Sequence, residues 1–203
     1  GSARKGDSVL IHRAAGATGL AALDICRIIG CETFGTAGPE KHEFLRERGL
    51  DHAIDYYHYD YADEVRRIRG GLGVHIILDS LGPTYARRNY RLLMPTGRVL
   101  HYGVGSATPR DARGWWDRVR QWAAPVYSLE RLKADNKGVL GVDLAQLWDE
   151  GDLLRGSMAQ IIQWYDEALF RPHIDRTFSF AQAAGAHRYL QERKNLGKVL
   201  LVP

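Results

Sequence analysis

The fold of this chain is decided by residues 8–19, which read SVLIHRAAGATG. The apolar run 9–11 is typical of a buried parallel strand. A glycine-bearing turn over residues 14–19 follows it, and from Leu20 onward apolar residues recur at helical spacing. A strand, a tight turn and a helix in this order form the context of a dinucleotide-binding turn, where the N–H groups at the helix start face the phosphates.

The turn has the pattern A-x-G-x-x-G, with Ala14 in the place of the usual first glycine. We expect Gly16 to let the backbone approach a pyrophosphate and Gly19 to let the helix pack close to the strand. An ordinary strand-to-helix turn has the same pattern, so the interpretation depends on the rest of the chain. The cofactor-binding residues predicted in this turn are Ala15, Gly16, Ala17, Thr18 and Gly19.

Strands and helices alternate after this turn. This alternation predicts a parallel sheet with helices on both faces, that is, a doubly wound α/β Rossmann domain of six strands over residues 1–170. The apolar stripe of a long helix at 153–170 is interpreted as part of the core. The later strands of the sheet are predicted at 32–36, 52–54, 74–79, 97–103 and 138–144, and the segment 171–203 carries a helix at 180–191 and a last strand at 198–202.

Composition excludes several classes of function. The 203 residues are 45% hydrophobic and carry a net charge of +4, so the chain supports a real core and is only mildly basic. Its arginine clusters fall on predicted helices between apolar residues, and we predict no nucleic-acid partner. No apolar run approaches the length of a membrane span. The cysteines Cys26 and Cys31 match neither a zinc pattern nor a disulfide framework, which favours a reduced, cytoplasmic setting and no metal.

The choice of cofactor is predicted from the end of the second strand. Enzymes that bind NAD place an acid there to hold the ribose, but this strand ends at Thr36 without one, and Lys41 follows. We therefore predict NADPH, with Lys41 at its 2′-phosphate and Tyr56 over that phosphate or the adenine. The alternatives are a surface lysine and a packing tyrosine. Thr36 is included in the predicted site.

The fourth and fifth strands should end at the same crevice, because ligands bind beyond the carboxyl ends of parallel strands. Ordinary strand-end turns would carry the same glycines. No phosphate loop, Tyr-x-x-x-Lys pair, HExxH motif or nucleophile elbow is present, so no catalytic residue is assigned. The residues predicted here to contact the cofactor are Ser80, Gly103, Gly105 and Ser106.

Several ordered segments together resemble the medium-chain dehydrogenase/reductase superfamily. The resemblance is greatest to its zinc-independent quinone oxidoreductases, in particular the synaptic-vesicle amine-transport-protein-like branch, and it runs from about Lys5 to Pro203. It implies that a GroES-like catalytic domain precedes this chain in a longer protein and that segment 171–203 returns to that domain. The segments are VLIHRAAGATG (9–19), FGTAGPEKHEFLRERGLDHAIDY (34–56), ILDSLG (77–82), GRVLHYG (97–103), PHIDRTFSF (172–180) and KNLGKVLLV (194–202).

The resemblance also implies a function. It implies NADPH-dependent hydride transfer to a quinone or an activated alkene, with Asn195 near the cofactor and a homodimer formed through residues 138–144. The chain alone is then expected to bind cofactor and catalyse little. The alternatives are an enoyl-reductase module of a polyketide or fatty-acid synthase and a non-catalytic NADP(H)-binding sensor or interaction protein.

Overall fold

Six parallel strands form one sheet in the order β3-β2-β1-β4-β5-β6. The computed structural model describes residues 2–102 and 127–203. This strand order is the Rossmann arrangement, so the predicted doubly wound six-stranded fold is confirmed. The strands are β1 (Ser8–Ile11), β2 (Glu32–Ala37), β3 (His52–Asp55), β4 (Val74–Asp79), β5 (Leu93–Tyr102) and β6 (Gly138–Val142).

Helices connect these strands and cover both faces of the sheet. Helix ends follow local chemistry. Asp60 caps the helix Tyr61–Ile68 by accepting the N–H of Ala62 at 2.9 Å, and Gly30 ends the helix Ala17–Ile29 with a left-handed φ of 85°. Short 3₁₀ turns occur at Pro39–Lys41, Leu144–Leu147 and Phe180–Gln182. The helices are α1 (Ala17–Ile29), α2 (His42–Glu47), α3 (Tyr61–Ile68), α4 (Pro83–Leu92), α5 (Leu129–Asp135), α6 (Gly151–Asp166) and α7 (Ala183–Gln191).

The two faces of the sheet carry separate apolar cores, because successive side chains of a strand point to opposite faces. Val9 and Ile11 pack in one core with Leu23 of α1. Leu10 belongs to the other core, together with Val65 of α3. The parallel strands are therefore buried on both sides, as their continuous apolar runs predict.

A second, two-stranded parallel sheet follows the Rossmann sheet in the chain. It pairs β7 (Ile174–Ser179) with β8 (Lys198–Val202). The sequence predicted β8 but missed β7, because the segment IDRTFS lacks a continuous apolar run and its residues stay partly or fully exposed. The domain boundary after residue 170 stays a prediction.

The interpretation of the 153–170 helix as a core element is wrong. Helix α6 has no buried residue, and the side chains of Met158, Ile162 and Tyr165 are 52–59% exposed. The 3.6-residue period predicts an apolar face but not a partner for it, and neither core of the sheet includes α6.

None of the helices in the described ranges combines the length and hydrophobicity that a bilayer crossing requires.

Candidate cofactor-binding site

The start of α1 is open to an anion. Its N-cap is Gly16, which has no capping side chain, and its first turn contains no acidic residue. The first N–H group to bond back along the helix is that of Leu20, which donates to the carbonyl of Gly16 at 2.9 Å. The preceding N–H groups lie outside the helical bonding pattern, at the positive end of the helix dipole. This arrangement suits a pyrophosphate.

The two glycines of the turn are required for different reasons. A Cβ at Gly19 would lie 2.4 Å from the carbonyl oxygen of Arg13 and 2.6 Å from that of Ala14, so a larger residue cannot pack there. A Cβ at Gly16 would lie 3.3 Å from the Arg13 oxygen, and the φ of −80° is open to any residue. The structure therefore demands glycine at position 19 for packing, whereas at position 16 only the Arg13 oxygen lies within 4 Å of an added Cβ.

Thr36 fixes the conformation of this turn. Its backbone oxygen accepts the N–H of Ala14 at 3.1 Å, and its hydroxyl oxygen accepts the N–H of Arg13 at 3.1 Å. The hydroxyl also lies 3.3 Å from His12 Nδ1, whose ring bonds Asn89 Oδ1 through Nε2 at 3.0 Å. Burial lowers the pKa of His12, although the bond to Asn89 opposes the shift. We assign His12 as neutral, with Nε2–H donating to Asn89 and Nδ1 accepting from Thr36.

Lys41 and Asn195, which are far apart in sequence, meet beside this turn. The Lys41 ammonium donates to the backbone oxygens of Arg193 at 2.5 Å and Asn195 at 2.8 Å. Burial lowers the pKa of Lys41, while the nearby carboxylates of Glu40 and Asp175 oppose that shift. Lys41 is therefore held at the site by two neutral carbonyls, and its contact with a phosphate stays a prediction.

The segment that follows Asn195 closes against the glycine turn. Gly197 donates its N–H to the carbonyl of Ala15 at 2.8 Å and forms an isolated parallel bridge with Gly16. Its φ is +81°, and a Cβ there would lie 2.6 Å from the carbonyl oxygen of His173. Only glycine suits both demands. Sequence reasoning missed this contact, although the glycine inside KNLGKVLLV was a visible signal.

The remaining predicted contacts are spread around the crevice. Tyr56 follows β3, is 36% exposed, and packs its ring 4.4 Å from that of Tyr57. Hydrogen bonding with Tyr56, with burial in second place, raises the pKa of Tyr57 to about 12. Ser80 directly follows β4. The predicted residues Gly103, Gly105 and Ser106 lie outside the described residues.

A buried carboxylate, which sequence reasoning also missed, ties the C-terminal segment to α1. Asp24 is 2% exposed and lies 3.0 Å from Arg48 Nη2. The same carboxylate accepts the N–H of Arg171 at 2.9 Å, and Arg27 donates to the carbonyl of Leu169 at 2.7 Å. An acid on the apolar face of a predicted helix was the available signal, because a buried carboxylate requires partners.

A polar cluster lies at the carboxyl ends of β4 and β5. Asp79 is 1% exposed, and its Oδ2 lies 2.8 Å from Nδ1 of His101. His101 Nε2 lies 3.1 Å from the hydroxyl of Tyr127, which donates to the carbonyl of Ala86 at 3.1 Å. The sequence indicated this edge of the sheet as part of the crevice but assigned no role to His101.

The fold and the uncapped glycine turn together define a dinucleotide-binding domain. Comparison with known proteins agrees: the family model described as zinc-binding dehydrogenase matches residues 48–201. The chain belongs to this family, within the medium-chain dehydrogenase/reductase superfamily, and the resemblance seen in the sequence is confirmed.

Particular relatives refine this comparison. The human synaptic vesicle membrane protein VAT-1 homolog is 40% identical over 211 residues, which cover 100% of this chain and 52% of that protein. The 2-haloacrylate reductase of a Burkholderia species is 30% identical over 98% of this chain and 56% of its own length. The crystal structure of JamJ enoyl reductase superposes with a TM-score of 0.80 at 27% identity, covering 99% of this chain and 56% of that one. The chain thus spans about half the length of the curated relatives it matches.

The family description mentions zinc, but the described residues contain no group of three or more His, Cys, Asp or Glu side chains placed to hold a metal ion. The residues described here do not fit a zinc centre, and no chemical step is assigned to a metal.

Proposed function

We propose that this chain is the NADPH-binding part of an oxidoreductase that transfers hydride to an activated alkene, such as an enone, or to a quinone. The observation that carries the proposal is the uncapped start of α1 above the Gly16 turn. A pyrophosphate is bound by backbone N–H groups at a helix start, and Gly16 places neither a capping side chain nor a Cβ there.

The residues of the chain fit this cofactor. The N–H groups of Ala17, Thr18 and Gly19 would hold the pyrophosphate at the helix start. Lys41 would bind the 2′-phosphate that distinguishes NADPH from NADH, because no acid stands at the end of β2 to take a ribose diol instead. When bound, NADPH supplies the hydride. The chain's own part is to orient the nicotinamide at the carboxyl ends of β4 and β5 and to exclude water there.

The substrate class is supported by the relatives' names. A 2-haloacrylate is an alkene conjugated to a carboxylate, and an enoyl group is an alkene conjugated to a carbonyl. In both, hydride addition to one alkene carbon places negative charge on the carbonyl side, and that charge needs stabilisation. An electron-poor alkene or a quinone meets this requirement.

The likeness to JamJ enoyl reductase favours a second candidate, an enoyl-reductase module of a polyketide or fatty-acid synthase. The length of the natural reading frame distinguishes a stand-alone oxidoreductase from a synthase module, because such a module lies within a much longer polypeptide. Two unpaired, buried cysteines, Cys26 and Cys31, favour a reduced cytoplasmic location for either.

We also propose that the protein forms a homodimer through β6. This strand lies at the edge of the sheet, and its residues Leu140 and Val142 are 45% and 41% exposed. An apolar edge strand is a template for pairing, and a two-fold axis lets two copies pair with each other.

Binding and turnover together test the proposed function. Calorimetry on the full natural protein should show tighter binding of NADPH than of NADH, and a panel of enones, acrylates and quinones should include a compound that oxidises NADPH. NADPH binding without reduction of any member of the panel would instead support the sensor or interaction-protein alternative. Absence of binding to both cofactors would refute the proposal.

A further inference from the structure

Arg13, the residue before the glycine turn, has a left-handed backbone conformation. Its φ is +55°, in a region that residues other than glycine rarely enter. The carbonyl oxygen of Arg13 accepts the N–H of Gly16 at 2.9 Å, and the same oxygen lies 2.4 Å from the position of a Cβ at Gly19. The backbone of Arg13 therefore decides where both glycines of the turn are placed.

The hydroxyl of Thr36 holds Arg13 in this conformation. The N–H of Arg13 donates to Thr36 Oγ1 at 3.1 Å. Thr36 is 3% exposed in β2, so its own hydroxyl hydrogen needs an acceptor inside the protein. His12 Nδ1, which is 3.3 Å away, can be that acceptor only while the ring proton is on Nε2. The protonation of the His12 ring therefore affects the turn through Thr36.

Asn89, on α4, sets the position of that ring proton. It is 0% exposed, and its Oδ1, which can only accept, lies 3.0 Å from His12 Nε2 and 2.7 Å from the Tyr61 hydroxyl. Nε2 must carry a hydrogen to bond this oxygen, which leaves Nδ1 as the acceptor for Thr36. Burial lowers the pKa of His12 and keeps the ring neutral, so that its two nitrogens have opposite roles.

The opposite orientation of the Asn89 amide satisfies fewer hydrogens. With Nδ2 in the place of Oδ1, His12 Nε2 would have to accept, and the ring proton would move to Nδ1 and point at Thr36. The hydroxyl hydrogens of Thr36 and Tyr61 would then lose the acceptors that the structure gives them. The orientation observed leaves, within this network, the Nδ2 group of Asn89 without a hydrogen bond in the described part of the chain.

We propose that Asn89 is a positioning residue of the cofactor site, which acts on the glycine turn through His12 and Thr36. The proposal rests on the proposed function, in which this turn binds the pyrophosphate. The hydrogen bonds run in one direction: Arg13 donates to Thr36, and Thr36 donates to His12. His12 in turn donates to Asn89. Each bond decides which atom of the next group accepts, so a side chain on α4 affects a turn between β1 and α1.

The expected effect on the two cofactors is equal. NADPH and NADH share the pyrophosphate, so a turn that is held less firmly should bind both of them more weakly by the same factor. This equality distinguishes Asn89 from Lys41, whose predicted contact is with the 2′-phosphate alone.

The first experiment needs no cofactor and uses the full natural protein with ¹⁵N-labelled histidine. The ring shifts of His12 should show the Nε2–H form in the wild type. Asn89→Leu removes the acceptor but keeps an apolar side chain of similar size, so this form should lose its preference and the backbone amides of residues 13–16 should exchange faster with solvent. An Nδ1–H form in the wild type would refute the proposal.

The second experiment measures cofactor affinity by calorimetry. In Asn89→Leu the dissociation constants of NADPH and NADH should each rise about 3- to 10-fold, which corresponds to the loss of one ordinary hydrogen bond. Thr36→Val removes the hydroxyl nearer the turn and should have at least the same effect. Because Asn89 acts through Thr36, the double variant should lose no more affinity than Thr36→Val, and additive losses would contradict the path.

The matched control is Tyr61→Phe. This change removes a hydrogen bond of 2.7 Å to the same oxygen in the same buried place, but it leaves the bond between Asn89 and His12. Thermal stability should fall, while the ring form of His12 and both affinities stay as in the wild type. An affinity loss in Tyr61→Phe equal to that in Asn89→Leu would show a general effect of weakened packing and overturn the positioning role.

Asn89→Asp serves if Asn89→Leu does not fold. Its carboxylate can accept both hydrogen bonds of the amide oxygen, but it should draw a second proton onto His12, because a nearby negative charge stabilises the imidazolium. Nδ1 would then donate to Thr36 instead of accepting, and both affinities should fall about 3- to 10-fold. Wild-type affinity together with a doubly protonated His12 would refute the proposal.

The two kinds of measurement separate this proposal from the proposed function. If the natural protein binds neither NADPH nor NADH, the proposed function fails, and the ring form of His12 with the exchange of residues 13–16 still decides whether Asn89 positions the turn. If the protein binds both cofactors and these amides exchange in Asn89→Leu as in the wild type, the proposed function stands and the role of Asn89 is wrong.

Discussion

Replacing Lys41 with alanine should weaken NADPH binding and leave NADH binding much less affected. The Lys41 ammonium has three N–H donors, and the carbonyls of Arg193 and Asn195 engage two of them. A 2′-phosphate can therefore bind the third donor, or displace a neutral carbonyl in favour of a stronger, charge-assisted bond. NADH carries no such phosphate and gains nothing from this exchange.

The magnitude follows from the kind of bond that is lost. A hydrogen bond to a charged group contributes about 1.5–3 kcal/mol, which is roughly 10- to 150-fold in affinity. We expect the NADPH dissociation constant of Lys41→Ala to rise by a factor within that range. Loss of the two carbonyl contacts also loosens the segment that Gly197 joins to Ala15, so the affinity for both cofactors should fall by a smaller and equal factor. The ratio of the two losses is the diagnostic quantity, and calorimetry with both cofactors measures it.

Lys137→Ala is the matched control for this experiment. The Lys137 ammonium also donates to a backbone carbonyl, that of Tyr90, at 3.1 Å, and burial also lowers the pKa of Lys137. Lys137 directly precedes β6, at the amino end of that strand, away from the glycine turn. Its removal should lower thermal stability without changing the affinity for either cofactor. An equal loss of NADPH and NADH affinity in Lys41→Ala would refute the phosphate role and leave Lys41 as a structural tie.

Gly19→Ala should destabilise the fold by about 1–3 kcal/mol in denaturant unfolding. Gly16→Val should keep a native circular dichroism spectrum but bind neither NADPH nor NADH. Wild-type affinity for these cofactors in Gly16→Val would mean that the turn is misassigned. Metal analysis of chelator-washed chain should find no stoichiometric zinc, and one zinc per chain would contradict this. Leu140→Lys should shift the mass in light scattering from dimer to monomer, and a monomeric wild type at tens of micromolar would refute the β6 dimer. Burial alone would raise the pKa of Asp79, but His101 and the Leu81 N–H hold that pKa below its usual range. The carboxylate therefore stabilises the fold fully above the ordinary carboxyl pKa, and this contribution is lost as the pH falls through the pKa of the folded state. The difference in unfolding free energy between wild type and Asp79→Asn should shrink on acidification, and a constant difference would contradict the shift.

The sheet was predictable because its signals are local and repeated. Strands β1 and β4 are short apolar runs, and glycine or proline stands at the ends of several helices, as at Gly16, Gly30 and Pro83. Boundaries were less accurate where backbone geometry alone decides them: β5 begins at Leu93 rather than at Gly97, and Thr96 within it takes a φ of 66°. The strand β7 was missed because its pairing with β8 leaves it largely exposed, so burial imposes no apolar pattern on it.

Residues around the candidate site could be predicted only where they belong to a motif with fixed spacing. The glycine turn could be recognised because the dinucleotide-binding motif places glycines at fixed spacing between a strand and a helix. The contact between Asp79 and His101 joins two strands that are adjacent in space, and nothing in the spacing of 22 residues between them marks it. The same holds for His12, which packs against Asn89 from another element. Contacts between polar groups on neighbouring strands can be predicted only when the register of the strands is known.

The C-terminal segment is attached to the Rossmann domain through its backbone. Arg27 and Arg48 reach the carbonyls of Leu169 and Arg171, Lys41 reaches those of residues 193 and 195, and the N–H of Gly197 reaches the turn itself. In these contacts Arg27, Arg48 and Lys41 supply cationic side chains. The C-terminal segment supplies backbone N–H and C=O groups, and every residue except proline has both. Apart from Gly197, which must be glycine, these contacts place no demand on the side chains of that segment. Because Lys41 belongs both to this set of contacts and to the proposed phosphate site, cofactor binding and the seating of the C-terminal segment should depend on each other.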